Sequence, residues 1–186
     1  MDIAEFFKNF LPGFTATVLG IPVGLWANSW VVAQTEKAKR KEEAVRLYHS
    51  LAALDEALHF NILQSGMMLR EHMNGQAFFD FKLDSSTWEV VKNDVIQYLD
   101  NPPLRKKIAF HFSRIEELRK IESIYLDSAV GIMSALGQSP LRQTLNEDLP
   151  GRISQLIQVA QELRQDIDSV QVKIVSKYRL PRNLAL

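Results

Sequence analysis

Hydrophobic and polar positions divide the chain near residue 35. From Asn9 through Thr35 about 27 residues pass without a charge, and a helix of roughly 20 apolar residues already crosses the hydrocarbon core of a bilayer. The stretch FLPGFTATVLGIPVGLWANSWVV, from Phe10 to Val32, shows only Thr, Asn and Ser where a surface helix would show a charged face. It predicts a transmembrane helix, with a buried core helix as the plainer alternative. Beyond Glu36 the pattern changes to stripes at three-and-four spacing. Leu47, Leu51, Leu54, Leu58 and Ile62 form one, Trp88, Val91, Val95 and Leu99 a second, and Ile108, Phe112, Ile115, Leu118, Ile121, Tyr125, Ala129, Ile132 and Leu136 a third. The fourth, Leu156, Ala160, Leu163, Ile167, Val170 and Ile174, alternates four and three without a break, the signature of a coiled-coil seam.

The breaks between stripes set the elements. Asn74 and Gly75 end the first helix, and NGQAFFDFKLDSS is the one long irregular connection. Ser86 and Glu89 fit a capping box opening a short helix, Pro102 and Pro103 suit the first turn of the next, and Gly137 closes it. Helices are predicted at about 36–73, 86–99, 102–136 and 152–179, four antiparallel rods in sequence. The predicted fold is all-α: residues 1–35 as an interfacial lead-in and transmembrane helix, and residues 36–186 as a cytoplasmic up-down four-helix bundle.

Charge refines this picture without redirecting it. The 22 basic and 22 acidic side chains balance, so no global field attracts nucleic acid, and direct nucleic-acid binding is not expected. With no cysteine there is no disulfide framework, thiolate nucleophile or Cys-ligated metal. Asp2 and Glu5 argue against a secretory signal peptide. Lys37, Lys39, Arg40 and Lys41 follow the apolar stretch, which by the positive-inside rule places the N-terminus outside and the helical domain in the cytoplasm of a single-pass inner or plasma membrane protein. Trp26 and Trp30 fit an aromatic belt. The basic end of the last helix, with Lys177 and Arg179, is predicted to lie against the same membrane surface.

Within the apolar stretch Ala16, Gly20, Gly24 and Asn28 recur every four residues, a stripe through which membrane helices approach closely, so a homo-oligomer is expected. Pro22 removes a backbone donor and bends the rod, and Thr17, Pro22 and Asn28 are the residues assigned to a kink or lumen. Phe78, Phe79 and Phe81 lie in the irregular connection, as a seal over one end of the bundle or as a partner loop.

Chemistry is sparse. There is no phosphate loop, no G-x-S-x-G and no zinc spacing; His49, His59 and His72 read as structural or surface histidines, and no metal or cofactor is expected. Glu116, Glu117 and Glu122 read as a solvated face. The remaining candidate pair is Arg105 and His111 in RKKIAFH, an arginine to hold phosphate and a histidine to move a proton. R-x4-6-H on a bundle helix resembles HEPN ribonucleases, and a short span before such a bundle is similar to the small membrane accessory proteins of bacterial CRISPR and other anti-phage systems. The resemblance implies a membrane-anchored, oligomeric defence effector that forms a pore or perturbs the bilayer, with lipid, copies of itself and an RNA-guided complex as partners. Its alternatives are a non-catalytic tether for a soluble protein and a membrane-bound ribonuclease. Six positions turn a helix through roughly 600°, however, which points Arg105 and His111 to different faces.

Overall fold

Among the described residues each stripe found along the chain lies on a buried or half-buried helix face. The computed structural model describes the backbone of residues 3–73, 82–132 and 140–180, and side chains of residues 21–71, 82–121 and 148–180. Among the described residues there are four helices: α1 (Ile3–Met73), α2 (Ser86–Tyr98), α3 (Pro102–Ile132) and α4 (Pro140–Tyr178). The chain divides into two compact units, Met1–Glu43 and Ala44–Leu186. The four-helix bundle lies in the second, built from residues 44–73 of α1 together with α2, α3 and α4.

Partners across the helices give the direction of each rod. Arg46 of α1 meets Asp94 of α2 at 2.9 Å, whereas Asn61, further along α1, meets Asp84 ahead of α2. Trp88 stacks on Phe112, and Arg119 donates to Ser85, so α3 runs back along α2. Lys107 reaches Glu162 and Asp166, Gln171 donates to the Tyr48 carbonyl, and Arg164 grips Asp55. Every neighbouring pair is therefore antiparallel, and the bundle is up-down as the periods predict.

The core follows from the same spacing. Leu51, Leu54 and Leu58 of α1, Val95 of α2, Ile108 and Ile115 of α3, and Ile153, Leu163 and Ile167 of α4 are wholly buried. Full burial of one such side chain is worth about 1.5–3 kcal/mol, so this seam dominates the bundle's stability. Around it stand ion pairs of lesser weight. Arg164 holds Asp55 with two parallel bonds of 2.7 and 3.0 Å, and the bond to Asp55 raises the arginine's pKa. Lys107 is likewise raised, first by its bond to Glu162, which it lowers in turn.

Several expectations need correction. Among the described residues no helix is long and apolar enough to cross a membrane, which overturns the span predicted over Phe10 to Val32. Between Ile21 and Val32 the apolar residues are diluted by Pro22, Gly24, Asn28 and Ser29, which lowers the mean hydropathy of the described stretch, and the charges at Glu36 and Lys37 follow closely. The side chains of residues 10–20 lie outside the described residues. With the span go the inferences drawn from it: the lipid partner, the outside N-terminus with a cytoplasmic domain, the aromatic belt, the pore and the membrane tether.

Local signals are corrected as well. The capping box at Ser86 and Glu89 does not form. Asp84 takes that role: its carboxylate accepts the amides of Ser86 and Thr87 at 2.8 and 3.2 Å and both their hydroxyls. An ionised acceptor two residues ahead outcompetes a neutral hydroxyl for first-turn amides, and Glu89 is left to pair with Lys92. Asn101 caps α3, its side-chain oxygen accepting the Leu104 amide at 3.1 Å. Pro150 does not precede the last helix but lies inside it, since α4 begins at Pro140.

Candidate functional site

In α3 the seam positions run Leu104, Ile108, His111, Ile115 and Leu118, alternating four and three. His111 therefore stands where the packing calls for an aliphatic side chain. It is 1% exposed, and neither Nδ1 nor Nε2 has a hydrogen-bond partner among the described residues. Phe112 presses against the ring edge-on at 5.5 Å between centroids. Burial pushes the imidazole pKa down to about 4, so the ring is neutral at physiological pH, with one nitrogen donating and the other accepting.

The ring lines a cleft of about 50 Å3 between α3 and α4. The walls are apolar, from Phe110, Leu118, Ile121, Leu156 and Val159, and Arg114, Glu117, Arg152 and Gln155 supply polar groups. Arg114 lies over the Phe110 ring at 4.9 Å, and its Nε is 3.9 Å from Glu117, so these two charges largely answer each other. Arg152 has no hydrogen-bond or ion-pair partner among the described residues. The cleft thus combines an apolar body, a neutral imidazole and one uncompensated positive charge.

Among the described residues no serine, threonine or cysteine lines the cleft, and no carboxylate is bonded to His111 to fix its tautomer, as a nucleophile's base requires. Among the described residues no group of three histidines or carboxylates could hold a metal ion. A second and larger furrow, of about 320 Å3, runs beside the start of α3, but it is polar and its Lys107 is already engaged by Glu162 and Asp166.

The predicted site residues fall as follows. Arg105 and His111 are not brought together: the Arg105 guanidinium donates to the Ile96 carbonyl at 2.6 Å, closing the end of α2, while His111 turns to α4. Pro22, Gly24 and Asn28 lie on α1 with exposed side chains or surface, and a methyl group added at Gly24 would touch nothing within 4 Å. The helix passes Pro22 without a break. The side chains of Ala16, Thr17 and Gly20, and all of Phe78, Phe79 and Phe81, lie outside the described residues. Lys37, Lys39, Arg40 and Lys41 are exposed in the first unit, Arg40 facing Glu36 at 3.8 Å. Lys177 and Arg179 are exposed in the second, with Arg179 in a left-handed conformation at φ 49°. Neither His49 nor His59 is buried, and His59 is held by Arg164 at 3.2 Å.

No protein-family model, no curated protein and no solved structure matches the chain. The resemblance to HEPN ribonucleases and membrane accessory proteins is therefore corrected on two counts, the missing span and the separated Arg105 and His111. What fold and site define is an all-α, up-down four-helix bundle with a polar defect in its seam. Glu117, assigned to a solvated face, belongs to the rim of the cleft, and Arg114, Arg152 and Gln155 were not singled out. The sequence stripe passes from Ile108 through Phe112 to Ile115 and leaves His111 beside the seam; that Phe112 and His111 are both buried, and which α4 residues stand opposite, needed the register between helices.

Proposed function

We propose that the helical bundle is a binding module for a small molecule, which it takes into the α3–α4 cleft by non-covalent contacts alone. The observation that supports this is the buried and unpaired His111 imidazole lining that cleft. A buried polar group without a partner costs about 1–3 kcal/mol, and such a cost is retained where a ligand or ordered water completes the hydrogen bonds. An apolar pocket with a few convergent polar groups is the usual form of a small-molecule site. The small volume limits the occupant to a short group rather than a nucleotide or a cofactor ring system.

The test is a titration of the full chain, carrying isotope-labelled histidine, with isobutyramide, a compact molecule whose amide both donates and accepts. Saturable movement of the His111 ring signals, with those of the exposed His49 unmoved, supports the reading. Equal and unsaturable movement of both signals would show that the cleft has no selectivity and would overturn it.

A further inference from the structure

We propose that the molecule taken by the cleft is a small monocarboxylate with a short branched or aromatic body, its carboxylate held between His111 and Arg152. The inference rests on the binding role of the cleft argued above and adds the charge and shape of the occupant.

Charge decides the first part. Three ionised side chains reach the cleft, and Arg114 and Glu117 stand within 3.9 Å of each other, whereas Arg152 answers no acid among the described residues. One net positive charge at the mouth is complemented by one negative charge, and a guanidinium meets a carboxylate with two parallel bonds. A phosphate dianion would leave a charge unanswered beside Glu117 and within apolar walls. The His111 ring borders the cleft with both nitrogens closed to solvent, so its N–H meets a carboxylate oxygen once the ring turns toward the cleft, and it has no partner to lose in doing so.

Shape decides the second part. The apolar walls come from both helices, Phe110 and Leu118 on α3 facing Leu156 and Val159 on α4, and they enclose about 50 Å3. That volume accepts an isopropyl group or part of a ring and excludes a long acyl chain. A zwitterionic amino acid fits less well, since its ammonium group would meet only the Gln155 side-chain carbonyl and a Glu117 already paired with Arg114.

Isobutyrate and isobutyramide differ only in the charged group, so their titrations into the full chain, read at the His111 ring and by the shift in unfolding temperature, separate the two levels of the argument. Isobutyrate is expected to bind at least tenfold more tightly than isobutyramide, and to raise the pKa of His111, because a bound anion favours the imidazolium; Arg114, Glu117 and Arg152 are the ionisable groups facing the ring from the two helices that form the cleft. Arg152→Gln should remove the tenfold preference and Arg152→Lys, which keeps the charge, should restore part of it. Equal affinity for acid and amide would overturn the carboxylate assignment while leaving the cleft a binding site. No saturable response to either would overturn both, and inorganic phosphate binding more tightly than isobutyrate would overturn the assignment of a monoanion.

Discussion

Two stretches of this protein carry apolar side chains in series and have opposite fates. In α4, Leu156, Ala160, Leu163, Ile167 and Ile174 are all buried; in α1, Ile21, Val23, Leu25, Trp26, Trp30, Val31 and Val32 are all exposed. The difference is period. The α4 residues return to one stripe every three or four positions, so one neighbour covers them all. At about 100° per residue, Ile21 and Leu25 point one way and Val23 and Trp30 the other, so no single packed helix could cover the α1 set. Hydrophobicity without a stripe says that cover is wanted but not what supplies it.

Mutations should expose that contrast, beginning in the seam. Leu163→Ala removes a wholly buried side chain and is expected to cost about 2–5 kcal/mol in denaturant unfolding, the usual range for such cavities. A loss below 1 kcal/mol would mean that α4 is not held by its stripe.

The next effect comes from the titratable side chain buried in the α3 seam. The unfolded chain binds a proton on His111 at its ordinary value of 6.5 and the folded chain only at about 4. Stability is therefore full above pH 6.5 and falls as the pH drops, with the loss complete near pH 4 and amounting to roughly 3 kcal/mol. His111→Leu should lack this part of the acid sensitivity. Identical pH profiles for the two proteins would show that the ring is not buried in its neutral form.

Smaller again is the contribution of Asp84. Burial pushes its carboxyl pKa up, but bonds from the Thr87 and Ser86 side chains and amides outweigh that and hold it below its ordinary value. Its stabilisation is present above the unfolded value of 3.8 and is lost as the pH falls through the lower folded value. Asp84→Ala should cost about 0.5–2 kcal/mol at neutral pH by removing the cap of α2. The smallest effect belongs to the exposed set: Leu25→Ser should leave the unfolding free energy of the bundle within about 0.5 kcal/mol. A larger fall would show that the α1 apolar residues are covered by the bundle after all.

The periods in the sequence carried the four helices and their antiparallel order, because a stripe of Leu47, Leu51, Leu54 and Leu58 has no other economical use than packing on a neighbour. They did not carry what depends on competition between local partners. The Ser86 hydroxyl was a sound cap until Asp84 offered a charged oxygen to the same amides, and the last helix, expected from about residue 152, begins at Pro140 and runs through Pro150 with Leu149 and Ile153 buried. The apolar run from Phe10 to Val32 misled because absence of charge was read as a membrane signal. The site was half legible. His111 was singled out, but with Arg105 as its partner and beside a seam drawn through Phe112; Arg152 joined it at the cleft only once α3 and α4 were set in register.

The central claim is that His111 holds a seam position for a ligand at the expense of the empty protein's stability. Thermal unfolding of His111→Leu at neutral pH, without added ligand, tests it most directly. Filling the position with an aliphatic side chain should raise stability by about 1–3 kcal/mol, a gain of roughly 3–10 °C in Tm for a chain of this size. A fall in Tm like that of a core truncation would show that the imidazole is itself a packing element, and would contradict the account.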